Sequence, residues 1–491
     1  MAISTFHAVS APHHPTAVGG VDRVARDLRS VYGGGKTKSY DWRVSQLEAL
    51  IKITSRHERD IIEALRSDLN KPEFEAFVHE VYGVSTSCKL ALKQLHQWMK
   101  PQRVETSLIN FPSSGEIVSE PLGVVLVISS WNYPFILSLD PVIGAIAAGN
   151  AVVLKPSEVA PASSALMAEL LSKYMDTSAV KVVQGGVLET TALLEQKWDK
   201  IFYTGNGTVG RIILTAAAKH LTPVVLELGG KCPVVVNSDV DIKVAVRRII
   251  TGKWGSNNGQ ACIAPDHVIT TKEYALKLVN VFSSELEKFF GKDPLRSKDL
   301  SSIINYRHFD RLTMLLDDNK ISGKVVIGGQ RDKANLKIAP TVFLDAPKDS
   351  LVMNEEIFGP LLPIVTVDKI EDSIALINSK GKPLAAYLFT NDETLKEKFV
   401  GNVSSGAMVI NDTLVHVLES NLPFGGVGES GMGAYRGKYT FDTFSHKKAV
   451  LHRGLFDMDV KYPPFPPQKT KLLKALITGD ILSIPRALIG W

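Results

Sequence analysis

Cysteine is scarce: the 491 residues carry three, Cys88, Cys232 and Cys262. None belongs to a CxxC pair and no Cys/His spacing suits zinc, which argues against a disulfide framework or a zinc module and for a reducing compartment. Long apolar runs are missing as well. The stretch KTKLLKALITGDILSIPRALIGW (469–491) turns apolar, but Asp480, Pro485 and Arg486 interrupt it short of the ~18 residues a membrane span needs. It reads either as an amphipathic segment lying on a membrane surface or as a tail packed on its own domain or on a partner subunit. The first 21 residues hold no Lys, Arg or Glu and no long apolar run, which fits neither a secretory signal nor an Arg-rich transit peptide. Runs of one charge sign are absent too. The 56 Lys and Arg and 51 Asp and Glu are interspersed for a net charge of +5, so no electrostatic footprint for nucleic acid is visible.

What remains is the composition of a soluble globular chain, 45% hydrophobic and 22% charged, long enough for two large domains and a smaller appendage. Residues 21–100 carry helical periodicity: in WRVSQLEALIKI, Trp42, Leu47, Leu50 and Ile51 fall near one face, and Cys88 lies in a similar stretch as a core residue. From residue 120 the texture changes. The runs LGVVLVISS, NAVVLKP, VKVVQGG, KIFYTG and PVVLELGG alternate with helix-like segments 134–148, 160–174, 188–196 and 208–220. Near-continuous apolar strands separated by helices predict βαβ units and a parallel sheet covered on both faces. Such sheets bind ligands beyond the carboxyl ends of their strands, so WNYP, KPSE, TGNG and ELGG are the stretches to inspect. A second alternation over 232–411 predicts a second α/β domain, and YPPFPPQ (462–468) reads as a stiff linker.

Three stretches carry candidate chemistry. GNGTVG (205–210) satisfies GxGxxG after a plausible strand and before a plausible helix, with Glu227 17 residues beyond Gly210. The simple reading makes it a dinucleotide pyrophosphate loop and Glu227 a ribose ligand, but a lone match is a weak signal. In NNGQACIAP (257–265), Cys262 follows small and polar residues, as a nucleophile facing a cleft would; a buried core cysteine is the alternative. MNEEIFGP (353–360) pairs Glu355 and Glu356 before Phe358 and a Gly-Pro stop, and alone it is equally a solvated corner.

Taken in order, SSWNYP, LKPSE, FYTGNGTVG, LELGGK, GQACIAP, NEEIFGP and LPFGGVGESGMG closely resemble the aldehyde dehydrogenase superfamily over roughly residues 21–460, and within it the class 3 branch of fatty and aromatic aldehyde oxidisers, with a plant-like texture. The resemblance implies an α/β fold: a Rossmann-like cofactor domain over 21–229, a catalytic domain over 230–425, and a small β oligomerisation arm over 426–460 to which 107–121 contribute. Residues 1–20 are then an N-terminal extension and 461–491 a tail that associates with membrane or gates the site. It makes Cys262 the nucleophile, Asn132 and the Cys262 amide the oxyanion donors, and Glu227 the base that activates water, since a thiolate, preorganised donors and a sheltered carboxylate are what aldehyde oxidation through a thioester requires. The ribose role moves upstream to Lys155 and Glu158, where a carboxylate accepting from the 2′-hydroxyl repels a 2′-phosphate and favours NAD. The small Val209 leaves NADP open. Glu356 and Phe358 hold the nicotinamide end, Trp131 and Pro134 shape the floor, and Gly205, Gly210 and Leu228 form a turn beside the nicotinamide half rather than a pyrophosphate cradle.

Tyr133, Asn258 and His416 are candidate pocket residues without a motif to fix them. The implied partners are a small aldehyde and a second copy of the chain, with SGEIVSEP (114–121) pairing KAVLHR (448–453) in a two-stranded arm. Peripheral membrane contact through the tail, and a cytoplasmic, intracellular-membrane or plastid location, belong to the same reading. The rival readings are a CoA-acylating relative, against which Glu227 argues, and a catalytically silent relative, against which the intact set of positions argues.

Overall fold

The apolar runs assemble into two large sheets, seen in a computed structural model that describes residues 20–489. All but Gly20 of the expected N-terminal extension lies outside the described residues. The first sheet has six strands in the order Gly431–Met432, Val224–Glu227, Lys200–Thr204, Val124–Ile128, Ala151–Lys155 and Val180–Val182. All neighbours are parallel except Gly431–Met432, which runs antiparallel to Val224–Glu227. Every residue of Val124–Ile128 and Ala151–Lys155 is buried, which is why both read as continuous runs rather than alternations. Each fully buried Val or Leu there contributes about 1.5–3 kcal/mol. Helix Pro134–Ala148, also buried along its whole length, starts on a proline and ends at Gly149 with φ +95°.

The second sheet has seven strands, ordered Val325–Ile327, Thr341–Leu344, Leu361–Val367, His267–Thr271, Pro233–Val236, Ala385–Phe389 and Ala407–Ile410, and only the first is antiparallel to its neighbour. Helices Tyr40–Arg56, Glu58–Leu69 and Gly83–Met99 pack beside the first sheet, with Trp42, Leu47, Leu50 and Cys88 in the core and Ile51 at its half-buried margin. A π-helical turn, Phe77–Tyr82, precedes the last of them.

A third sheet differs from the expected arm. Ser445–His452 pairs antiparallel with Ser114–Pro121, from Ser445 opposite Pro121 to His452 opposite Ser114, but Gln102–Val104 adds a third strand. Residues 426–444 do not join it. Gly431–Met432 completes the first sheet because Gly431, at φ +136°, has no Cβ to collide with the Leu226 carbonyl, which would lie 2.0 Å away. Lys438–Thr443 packs on Pro134–Ala148 where Gly144 leaves room for Thr440. In the tail, helices Pro467–Thr478 and Ser483–Ile489 pack together, and the first also rests on the turn Leu108–Asn110. Among the described residues no helix is long and apolar enough to cross a membrane.

Candidate active site

The carboxyl ends of the first sheet face the loop that carries Cys262. Asn132 lies in SSWNYP, four residues beyond Val124–Ile128, and Glu227 is the last residue of Val224–Glu227. The loop NNGQACIAP lies between helix Ile242–Lys253 and strand His267–Thr271, and it turns sharply because Asn257 and Asn258 both have positive φ, +51° and +49°. Gly259 brings this loop onto NEEIFGP: at φ +79°, a Cβ there would lie 2.2 Å from the Gly359 carbonyl oxygen. The buried Asn132 amide Nδ2 donates to the Gln260 carbonyl at 3.1 Å, two residues before Cys262. The Cys262 carbonyl accepts from Cys232 Sγ at 3.4 Å, and Tyr387 Oη donates to the Ile263 carbonyl at 2.6 Å. Asn132 and Cys262, expected to act on one oxyanion, are thus tied to one short backbone segment.

The electrostatics are those of a dry site. Cys262 is partly exposed, yet burial of its surroundings, with Glu356 and Glu227 adding, pushes its thiol up to about 12. Glu227 is only 2% exposed and neither carboxylate oxygen has a hydrogen-bond partner. Burial raises it well above the usual carboxylate range, and the Arg436 guanidinium opposes that rise. Arg436 has φ +87°, packs over Phe424 and Tyr435, and keeps Nε 3.7 Å from Asp140. Glu356 is pushed up to about 7 by burial, while Oε1 accepts from the Gly230 N–H at 3.1 Å.

Around Glu356 the loop is held by cations. Arg311 donates to the carbonyls of Glu356, Ile357 and Phe358, and Lys231 donates to those of Val352 and Glu355 while pairing with Asp266. Phe358 adopts φ +47° and meets Trp131 edge-on at 5.4 Å; His308, which sequence reasoning missed, closes the other side of Trp131 at 4.9 Å. Burial lowers His308 to about 4, with Arg311 and Arg307 adding, so the ring is neutral near pH 7.

At the end of strand Ala151–Lys155, Lys155 Nζ pairs with Glu158 Oε2 at 2.5 Å; the lysine is buried and the carboxylate half-exposed beside Gly186. This ammonium–carboxylate pair at a parallel strand end is a donor set that fits ribose hydroxyls. The GNGTVG turn opens helix Gly207–Ala218, capped by the Asn206 side chain accepting from Val209 N at 2.9 Å. Gly205 donates to the Glu227 carbonyl at 3.0 Å, and Gly210 sits so close to Leu228 that a Cβ would lie 3.1 Å from its Cδ2. The turn therefore leans on the backbone of Glu227.

The three unfixed pocket candidates have other partners. Asn258 is fully buried and donates Nδ2 to the Ser301 carbonyl at 3.0 Å. Tyr133 lies under the Lys71 ammonium at 4.0 Å, beside His79. His416 stacks on Phe424 at 5.9 Å with neither ring nitrogen hydrogen-bonded, and burial first, then Arg436, lowers it to about 4. Sequence reasoning missed Lys71, Glu75, Glu80, Asn257, Gln260 and Arg436. Lys71, Glu75 and Glu80 are charges in or beside a helical stretch, which reads as a solvated face, and only the fold shows them turned inward.

The model of the aldehyde dehydrogenase family matches residues 20–450. Aldehyde dehydrogenase family 3 member H1 of Arabidopsis thaliana is 63% identical over 94% of this chain and 96% of its own. A Rattus norvegicus relative named "aldehyde dehydrogenase, dimeric NADP-preferring" is 45% identical over 92% of this chain and 98% of its own. The substrate-bound structure of Staphylococcus aureus AldH superposes with a TM-score of 0.90 at 40% identity, covering 93% of this chain and 99% of that one.

Proposed function

We propose a residue-level reaction for this chain, which belongs to the aldehyde dehydrogenase family and to its class 3 branch: oxidation of an aldehyde to a carboxylic acid with NAD(P), through a thioester on Cys262. The observation that carries the assignment is the Asn132 amide anchored on the Gln260 carbonyl beside Cys262, with the unpartnered carboxylate of Glu227 at the adjoining strand end. The Cys262 thiol gives up its proton to solvent water, and its sulfur adds to the aldehyde carbon. One Asn132 N–H is engaged by Gln260, and the second, together with the Cys262 N–H, is free for the oxyanion. Bound NAD(P) supplies the hydride acceptor. Collapse of the oxyanion leaves a thioester on Cys262; Glu227 then takes a proton from water, the resulting hydroxide adds to the acyl carbon, and the thiolate leaves. Burial pushes the resting thiol up to about 12, so it is protonated before substrate arrives.

Lys155 and Glu158 are assigned to the adenosine ribose, and Glu356 with Phe358 and Trp131 to the nicotinamide end; Gly205, Gly210 and Leu228 form the turn between. The Glu158 carboxylate supports NAD over NADP, although the rat relative's name marks that enzyme as preferring NADP. Medium or long aliphatic or aromatic aldehydes are the proposed substrates, supported by class 3 membership and by the Trp131–Phe358 pair. A panel of aldehydes differing in length and aromaticity, run with NAD and with NADP, tests both choices. Cys262→Ala is expected to abolish NADH formation; an unchanged rate would overturn the assignment, and CoA-dependent acyl transfer outpacing acid formation would replace water by CoA as the acceptor.

Homodimerisation is supported by the open outer edge of the exposed strand 445–452 and by the word "dimeric" in the rat relative's name. The three free cysteines support a reducing compartment. For the tail, the exposed Ile477, Ile481 and Leu482 near Lys474 support contact with an anionic membrane surface. Cosedimentation with anionic vesicles that is lost on truncation at residue 466 is the expected result, and equal partition of both forms refutes it.

A further inference from the structure

A buried ion pair lies directly behind Asn132. Lys71 Nζ and Glu80 Oε1 are 2.9 Å apart, and both side chains are wholly inaccessible to solvent. Lys71 follows helix Glu58–Leu69 at a turn in which Asn70 has φ +47°, and Glu80 projects from the π-helical turn Phe77–Tyr82. Neither charge is idle. The Lys71 ammonium donates a second hydrogen bond to the Asn132 carbonyl at 3.0 Å and lies over the Tyr133 ring. The other Glu80 oxygen accepts from the Phe135 and Ile136 N–H groups, each at 3.0 Å, at the start of helix Pro134–Ala148.

The same carbonyl of Asn132 also accepts from Asn257 Nδ2 at 2.9 Å, and that amide reaches the Gln260 carbonyl at 3.3 Å. Behind it, Glu75 accepts from the Asn257 N–H at 2.7 Å and from Ser301 Oγ at 3.3 Å. Asn132 is therefore gripped at its own carbonyl and at the helix that follows it, while the residue it bonds in the Cys262 loop is gripped by Asn257. A buried ion pair is a poor way to gain stability, since taking both charges out of water costs much of what their attraction returns. What it does supply is geometry: fixed charges and fixed hydrogen bonds, on rigid elements, at the one residue whose amide must be aimed.

We propose that Lys71 and Glu80 are positioning residues for the reaction, a buried charge clamp that aims the Asn132 amide at the oxyanion site from behind. This rests on the assignment of Asn132 as an oxyanion donor. The clamp is placed to act on the reaction through the Asn132 carbonyl and the start of the helix that follows it. Its loss should then appear in the chemical steps and not in cofactor binding.

The test is a mutant cycle on the full-length enzyme. The double variant Lys71→Met/Glu80→Gln removes both charges together at nearly constant volume, so neither is stranded. It is expected to lose ~10- to 100-fold in kcat, with KM for NAD and the thermal midpoint close to the parent's. In an Asn132→Ala background the same double change should add less than ~3-fold, because the effect it would have had runs through the missing amide. A parental kcat in the double variant overturns the clamp. So does a full multiplicative loss on top of Asn132→Ala, which is what a general structural role would give. Should the double variant not fold, Lys71→Arg, which keeps both charges and changes the donor geometry at the Asn132 carbonyl, runs through the same cycle. An Asn132→Ala enzyme with parental turnover would overturn the oxyanion assignment itself, and the clamp with it.

Discussion

A carboxylate that is 2% exposed and hydrogen-bonded by neither oxygen is expensive to ionise, and Glu227 is such a group. Its folded pKa lies above the free value of 4.5, so the folded state binds its proton more tightly than the unfolded chain does. Any stability this contributes is fully present below pH 4.5 and is lost as pH rises toward the folded pKa. Glu227→Gln keeps the shape and removes the titration. The variant should therefore melt higher than the parent at pH 8, with the difference vanishing near pH 4, while turnover slows ~10²- to 10⁴-fold and an acyl adduct on Cys262 accumulates in intact-mass spectra. Parental turnover, or a lower melting midpoint at pH 8, would contradict the assignment. Glu227 and Cys262 were legible in the sequence because their motifs stand in a fixed order with small neighbours. Arg436, the cation that opposes the rise at Glu227, was not: it follows a glycine-rich turn and reads as surface.

Among the elements, the turn leaving strand Val224–Glu227 joins the two halves of the site. Gly229 lies where a Cβ would fall 2.1 Å from Glu356 Oε1, and the next residue's N–H holds that same oxygen at 3.1 Å. Glycine at 229 is thus a spacer that lets the second domain's carboxylate reach the first sheet. Gly229→Ala should push Glu356 out of place, raising KM for NAD ~10-fold or more and, because Glu356 helps hold the Cys262 thiol up, speeding alkylation of Cys262 by iodoacetamide. An unchanged KM would mean that Glu356 does not hold the cofactor. The strands and helices flanking this turn could be read from the chain, helix 134–148 to the residue, because continuous apolar runs and a proline start leave few alternatives. What could not be read were features with too few residues to carry a period: the two-residue strand Gly431–Met432, the π-helical turn Phe77–Tyr82, and the left-handed Asn257 and Asn258. Each is dictated by what it packs against.

At the scale of the molecule, the eight-residue strand Ser445–His452 is the outer strand of its sheet and is exposed along most of its length. A long open edge invites pairing with another chain, and lysines at Lys447 and Lys448, tied down by Asp442 and Glu120, restrict which chain can pair. The homodimer proposed above would place a second copy of this chain along that edge. Ala449 sits mid-strand opposite Ile117, so proline there deletes an N–H that serves either the Ser114–Pro121 pairing or the open edge. On the homodimer proposed above, either loss should disrupt the assembly, and sedimentation of Ala449→Pro is expected to give a monomer at concentrations where the parent gives a dimer. Every residue assigned to the chemistry, Asn132, Glu227, Cys262 and Glu356, comes from one chain, and none lies on this arm. The monomer should accordingly keep kcat within about threefold of the parent, with a lower melting midpoint as the apolar contacts of the arm are uncovered. A dimer that survives Ala449→Pro would move the interface elsewhere on the surface, and a monomer without activity would mean that a partner supplies part of the site.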